Sequence, residues 1–196
     1  MEEQKGPPKK SAFREYVESL AVAVILALVV RTFIVQAFKI PTGSMRPTLI
    51  EGDRILVDKV TYGIKIPLTN WRLPDIRPPH RGDLVVFRAP DDPRRDFIKR
   101  LVALEGDTVE IRDLRLWING KPAAEPPLFR DMVYYNRGTF GQEGHPVKVP
   151  AGHYFFLGDN SASSRDSRYW GFLPEANVIG RAFVIYWPLP RMRALK

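Results

Sequence analysis

Apolar residues run without a break from Leu20 to Val30 as LAVAVILALVV, and continue less purely through RTFIVQAF to Phe38. A helix crossing the hydrocarbon core of a bilayer needs about 20 such residues. Residues 16–38 therefore predict a transmembrane helix, with Glu18, Arg31 and Gln36 as its polar interruptions. A buried core helix or the apolar part of a cleaved leader carries a similar run. Here the chain passes into FKIPTGSM and not into a small-residue cleavage pattern, which favours a retained anchor. Arg31 lies in the last turns, where a long side chain reaches the headgroups.

Beyond Phe38 the grouping changes to short runs such as RILVDKV, DLVVFRA, DFIKRLVAL, DTVEI, LRLWI, HYFFLGD and AFVIYW, separated by Gly, Pro and Asp. Their β-branched and aromatic residues predict strands. Sixteen of the chain's eighteen prolines lie beyond Phe38 and argue against long helices in this part. Asn119-Gly120 predicts a type I′ hairpin turn, since both central positions need positive φ. The expected organisation is a basic N-terminus at 1–15, an anchor at 16–38, a β domain built from 39–112 and 150–190, and a tail at 191–196. Residues 113–149, rich in Pro, Gly and polar residues, read as a smaller hairpin or loop region inserted into that domain. The fold class is mainly β behind one membrane helix. The loop 62–79 carries Ile66, Leu68 and Trp71, which suit either a lipid interface or ordinary core contacts.

Charge and composition narrow the partners. The chain has no cysteine, so disulfides, thiolate metal sites and cysteine nucleophiles are excluded. A net charge of +8 suits an anionic partner, yet the basic residues are scattered among acids and no nucleic-acid-reading motif accompanies them. Nucleic acid is therefore not an expected partner; membrane phospholipid is. Lys5, Lys9, Lys10 and Arg14 cluster before the apolar run, which places the N-terminus in the cytoplasm and the bulk of the chain outside it.

The candidate chemistry starts at Ser44 in IPTGSMRPTL, where Pro41, Gly43 and Pro47 suggest a stiff turn in which Gly43 takes a conformation other residues avoid. A serine hydroxyl needs a base. His80, His145 and His153 all sit beside Pro or Gly in expected turns, and spacing alone leaves a Ser/His pairing open. Lys99 is the other candidate, because DFIKRLVAL puts it on one strand face with Phe97 and Leu101, opposite Ile98, Arg100 and Val102. Burial lowers an amine's pKa, and a neutral amine can accept a serine proton. The third element is GDNSASSRDSRYWGF at 158–172. Its carboxylates lack the alternation of a calcium loop, which favours a supporting role: Ser164 as a partner for the base, Asp166 paired with Arg168.

In this order, PTGSMRPTL, GDRILVDKVTYG, RGDLVVFRAP, DFIKRLVALEGD and GDNSASSRDSRYWGF with LPEANVIGRA resemble bacterial signal peptidase I across most of 38–182. The resemblance implies a membrane-bound serine endopeptidase with an all-β catalytic domain. Its implied substrates are the signal peptides of exported preproteins, cut after an Ala-x-Ala-like site. It implies Ser44 as nucleophile, Lys99 as general base, and an oxyanion site made of the Ser44 N–H and the Thr42 hydroxyl. Ser164 matches the family serine that orients the lysine, and Asp166 with Arg168 matches a supporting salt bridge. Phe38, Ile40, Met45, Leu49 and Ile98 are implied to line shallow substrate pockets, with the peptide added as a strand beside 38–40 and 96–98. No cofactor and no metal are implied, and the segment 161–163 (SAS) departs from the acidic and amide residues common there.

Three rivals remain at this level. A self-cleaving repressor shares the Ser/Lys chemistry but carries a DNA-binding domain where this chain has an apolar helix. A membrane-tethered β-domain binder would use Ser44 and Lys99 only structurally. A metal-dependent hydrolase lacks the necessary Cys or paired His motif.

Overall fold

The computed structural model describes residues 12–63, 74 and 76–195. The cluster at Lys5, Lys9 and Lys10 and the Ile66, Leu68 and Trp71 side chains lie outside the described residues. The apolar run forms α1 (Ala12–Phe33), a helix of 22 residues. At 1.5 Å per residue it is about 33 Å long, enough to cross a bilayer. Its apolar side chains, from Leu20 and Val22 to Leu28 and Val30, are exposed and pack against nothing in the protein. A soluble core helix would bury one face.

The helix ends five residues before the expected end of the anchor. Ile34 and Val35 are β-branched, and the chain turns directly into β1 (Val35–Lys39), which pairs antiparallel with β2 (Arg54–Asp58), Phe38 opposite Ile55. The join is held from β2: the Lys59 N–H donates to the Ile34 carbonyl at 2.9 Å, and Lys59 Nζ reaches the Thr32 carbonyl at 2.7 Å. A cation at the last helical carbonyls complements the helix dipole.

The remaining strands are β3 (Leu84–Arg88), β4 (Asp96–Ala103), β5 (Thr108–Arg112), β6 (Arg115–Ile118), β7 (Lys121–Pro122), β8 (Val147–Lys148), β9 (His153–Leu157), β10 (Leu173–Pro174), β11 (Val178–Trp187) and β12 (Arg193–Ala194). Among the described residues they form two sheets. The larger runs β1-β2-β11-β3-β4-β9-β10, with β12 also on β11; the smaller runs β7-β6-β5-β8. Two expected boundaries move. β5 belongs to the smaller sheet and not to the main one, because its partners are β6 and β8. The tail joins the main sheet through β12, and Leu195 is buried in its core. Asn119 and Gly120 have φ of 53° and 74°, as the hairpin turn requires.

Three apolar clusters follow from this layout. Ile40, Met45, Leu49, Ile55, Val57, Leu84, Val86 and Ile185 pack under the Ser44 turn. Val85, Phe87, Leu101, Phe156 and Leu173 fill the other side of the main sheet. Val109, Ile111, Leu116, Phe129, Tyr134 and Phe155 join the smaller sheet to it. With β4 paired to β3 through Lys99 and to β9 from Arg100 onward, the position of Lys99 is set by the central sheet and not by a loop.

Candidate active site

Ser44 sits in a single 3-10 turn, Gly43–Met45, entered through Thr42 in extended conformation (φ −136°, ψ 155°). Gly43 does not have the positive φ expected of it. Its value is space: a Cβ there would come 2.9 Å from Glu51 Oε1 and 3.0 Å from Arg46 Nε, the two halves of an ion pair that flanks the turn. The Met45 and Leu49 side chains drop into the core beneath and hold the turn down.

Lys99 comes from β4, paired with Val85 on β3. Its Nζ is 2.7 Å from Ser44 Oγ and 3.1 Å from the Ile98 carbonyl, and it lies 5.5 Å from the centre of the Phe97 ring. Only 5% of the residue is exposed. Burial pushes the amine down to about 8, against the pull of the Asp166 and Asp159 carboxylates, which favour the charged form. At pH 8 about half of this lysine is neutral, compared with roughly 0.3% of an ordinary one. A neutral amine at hydrogen-bond distance can accept the hydroxyl proton.

The histidines lie elsewhere. The rings of His80 and His153 each reach the carbonyl two residues back, Pro78 and Ala151 respectively, and His145 sits exposed in a turn closed on Gln142. Among the described residues no three His, Cys, Asp or Glu side chains gather as metal ligands.

The 158–170 segment packs against the Ser44 turn. Asp166 caps the short helix α2 (Ser167–Trp170) and pairs with Arg168 through Nε at 2.7 Å and Nη2 at 2.8 Å, both side chains fully buried. Arg168 also donates to the Tyr135 and Ser161 carbonyls, so all of its polar edge is used. Asp166 in turn accepts the Gly158 N–H. This expected pair is therefore a scaffold for the loop. Ser164 differs from expectation: its Oγ is buried without a hydrogen-bond partner and does not bond Lys99. The packing explains why it is held there, since a Cβ on Gly158 would lie 2.2 Å from Ser164 Oγ and 2.6 Å from the Ser44 carbonyl oxygen. Glycine at 158 lets loop and turn touch.

Of the expected pocket residues, Phe38 and Ile98 are half-buried at the edge of the core. Ile40 retains 3% exposure, and Met45 and Leu49 none. The last two are corrected: they are floor packing beneath the Ser44 turn and present no surface to a ligand.

Sequence reasoning missed four residues. Arg100, the neighbour of Lys99, forms a two-point ion pair with Asp159 at 2.7 and 2.5 Å, buried on both sides, and donates to the Gly82 carbonyl. Thr48 donates to the same carboxylate at 2.5 Å. Asn160 bonds the turn twice, its N–H to the Ser44 carbonyl at 3.1 Å and its Nδ2 to the Gly43 carbonyl at 3.0 Å. The available signal was the arginine itself, a second cation inside an apolar strand, which demands a buried acid.

The chain matches the family described as signal peptidase, peptidase S26, over residues 13–187, and it belongs to that family. It is accordingly a serine peptidase, a hydrolase of the signal peptidase I kind, anchored to a membrane, and membership supports removal of signal peptides as its reaction. It is 38% identical to a signal peptidase I of Pseudomonas aeruginosa over 221 residues, covering 95% of this chain and 78% of that one. To a signal peptidase I of Pseudomonas fluorescens it is 39% identical, again over 95% of this chain and 78% of that one. A solved signal peptidase I from Enterococcus faecalis is 36% identical, with a TM-score of 0.42 over 55% of this chain and 98% of that one, a likeness too loose to define the fold.

Proposed function

We propose that the protein removes N-terminal signal peptides from exported preproteins after an Ala-x-Ala-like site, with Ser44 as nucleophile and Lys99 as general base. The observation that carries this reading is the 2.7 Å contact between Ser44 Oγ and a lysine buried enough to be half neutral near pH 8. As Oγ attacks the scissile carbonyl carbon, its proton passes to Lys99, and the carbonyl oxygen becomes an oxyanion. The Ser44 N–H, in the first turn of a helical segment where no earlier carbonyl is in register, and the exposed Thr42 hydroxyl, which does not cap the turn, receive that charge. The Lys99 ammonium then protonates the leaving amine as the C–N bond breaks, leaving an ester on Ser44. Water, deprotonated by Lys99, hydrolyses it and releases the signal peptide.

Two open sheet edges suit an extended substrate. Among the described residues β1 is bonded only to β2, and the Asp96–Lys99 half of β4 only to β3, because β9 joins β4 from Arg100 onward. A peptide added to these edges places its small side chains against Phe38 and Ile98. The working parts are the anchor in α1, the β catalytic body and the inserted smaller sheet. The N-terminus lies in the cytoplasm and the β domain outside it, where a signal peptide emerges from the bilayer.

The test uses the full chain in detergent with chelator present and a preprotein carrying an Ala-x-Ala site. The parent and His153→Ala should both cut after the second alanine, while Ser44→Ala and Lys99→Met stay folded and inert. Full activity in Lys99→Met would remove it as the base; a folded parent that cuts nothing would leave a tethered binder as the better account. Orientation is read by labelling single cysteines placed at residues 4 and 187 of this cysteine-free chain from either side of sealed vesicles. Labelling of residue 187 only from the cytoplasmic side would reverse the proposed topology.

A further inference from the structure

The peptide unit between Gly43 and Ser44 is planar and trans, so its carbonyl and its N–H point in opposite directions. Whatever holds the Gly43 carbonyl therefore aims the Ser44 N–H. That unit is exposed to rotation: Gly43 lacks the Cβ that restricts the preceding ψ, and the helical segment is only three residues long. Within the turn, the Arg46 N–H reaches the Gly43 carbonyl at 3.2 Å. From outside the turn, Asn160 Nδ2 donates to it at 3.0 Å, while the Asn160 N–H holds the next carbonyl, that of Ser44, at 3.1 Å. One residue thus grips two consecutive peptide units on either side of the nucleophile.

Asn160 is itself held on both flanks. The Asp159 side chain before it is locked by Arg100 and Thr48, and the Ser163 N–H behind it donates to the Asn160 carbonyl at 3.0 Å. Arg100 directly follows Lys99 on β4, so the anchor of this grip and the dyad lysine ride on the same strand. A rigid strand, a buried ion pair and an amide side chain form one connected path from β4 to the Gly43–Ser44 unit.

We propose that Asn160 is a positioning residue that fixes the direction of the Ser44 N–H, and hence one donor of the oxyanion site; this rests on the Ser44/Lys99 reading above. Asn160 does not touch the substrate and leaves Lys99 alone. Its loss lowers transition-state stabilisation with little change in ground-state binding or in the base. Deleting an oxyanion donor outright costs about 100- to 1,000-fold in kcat. Loosening one that remains present should cost less, on the order of 10- to 100-fold.

The experiment compares the parent with Asn160→Leu, which keeps the backbone bond to Ser44 and removes the amide donor at similar volume. Cleavage kinetics on an Ala-x-Ala substrate are measured across pH, and thermal unfolding confirms the fold. Two probes separate the states: a peptide ending in an alanine aldehyde and the matching alcohol. Ser44 Oγ adds to the aldehyde carbon, its proton passes to Lys99, and the former carbonyl oxygen carries the charge into the oxyanion site; the alcohol only occupies the ground state. The expected result is a loss in kcat of about 10- to 100-fold. KM and the acid limb of the pH profile stay in place, and aldehyde affinity falls by the same factor as kcat while alcohol affinity holds. The proposal is overturned if the folded variant cuts like the parent, if both probes weaken together, or if the acid limb moves. Asn160→Ser, read in the same way, substitutes if the leucine variant does not fold. If the parent itself cuts nothing, the Ser44/Lys99 chemistry falls and the proposal with it; if the parent cuts and Asn160→Leu matches it, only the proposal falls.

Discussion

Replacing Lys99 with methionine should abolish cleavage and stabilise the fold at neutral pH. Lys99 is 5% exposed, and its amine is lowered from 10.5 to about 8, chiefly by burial. Below pH 8 both folded and unfolded chains carry the proton, so the whole cost of burying the charge is present. It amounts to about 3 kcal/mol, since a tenfold change in a proton equilibrium corresponds to about 1.36 kcal/mol. Between pH 8 and 10.5 the folded state releases the proton while the unfolded state keeps it, and the parent gains that energy back. Methionine avoids the charge but forfeits the bonds to Ser44 Oγ and the Ile98 carbonyl, each worth about 1 kcal/mol. At pH 7 Lys99→Met should thus be more stable by about 1 kcal/mol, a rise of about 2–4 °C in Tm. By pH 10.5 the difference should reverse, having moved by about 3 kcal/mol in all. Thermal unfolding of the two full-length proteins in the same detergent, at pH 7 and pH 10.5, measures this as a difference, so tyrosines and other lysines cancel. A gap that does not change with pH, or a variant less stable at pH 7, would refute the buried, neutral-poised lysine.

The lowered Lys99 pKa also predicts that kcat/KM falls as pH drops below about 8, tenfold per pH unit, as the amine takes up its proton; a limb near pH 10 would mean an ordinary, solvated amine. Gly158→Ala forces a Cβ to within 2.6 Å of the Ser44 carbonyl oxygen, in a turn held down by the buried Met45 and Leu49, so activity should drop and unfolding should come earlier by roughly 1–3 kcal/mol, an effect that wild-type-like melting and kinetics would contradict. Arg100→Met strands the Asp159 carboxylate in a site with no exposed side-chain surface and should cost about 3–5 kcal/mol. The Arg100→Met, Asp159→Leu double variant should recover much of that loss in the same thermal scan, and no recovery would count against the charge as its cause.

The helix and the strands are legible in the sequence because each is written in local periodicity, whereas the pairing of Ser44 with Lys99 is implied by the resemblance to signal peptidase I. An unbroken apolar run gives α1, and alternation through DFIKRLVAL puts Lys99 on an inward face. The end of the anchor is not legible, because Val35, Ala37 and Phe38 are as apolar as a membrane helix; only the ladder offered by Ile55, Leu56 and Asp58 makes them a strand. The sheet to which β5 belongs is hidden for a related reason: its alternation fixes which residues are buried but not which strand lies beside it. Leu114 at φ 59° closes the β5–β6 turn with no Gly or Asn to announce it beyond Asp113. Met45 and Leu49 look like pocket residues in sequence because nearness to Ser44 does not say which side of a turn faces solvent. The grip of Asp159 and Asn160 on the Ser44 turn spans more than 100 residues of chain. Such pairings depend on the closed sheet and leave no periodic trace.

In the proposed reaction Ser44 becomes covalently attached to the departing signal peptide's carboxyl end, and trapping that ester is the decisive measurement. The full chain in detergent would be mixed with an Ala-x-Ala preprotein at pH 8, quenched in acid within the first turnover, digested and examined by mass spectrometry. An acyl group ending in the second alanine, carried on the peptide that contains Ser44 and absent from Lys99→Met, is the predicted result. Cleavage of the preprotein with no such adduct, or with an adduct on another residue, would contradict the account.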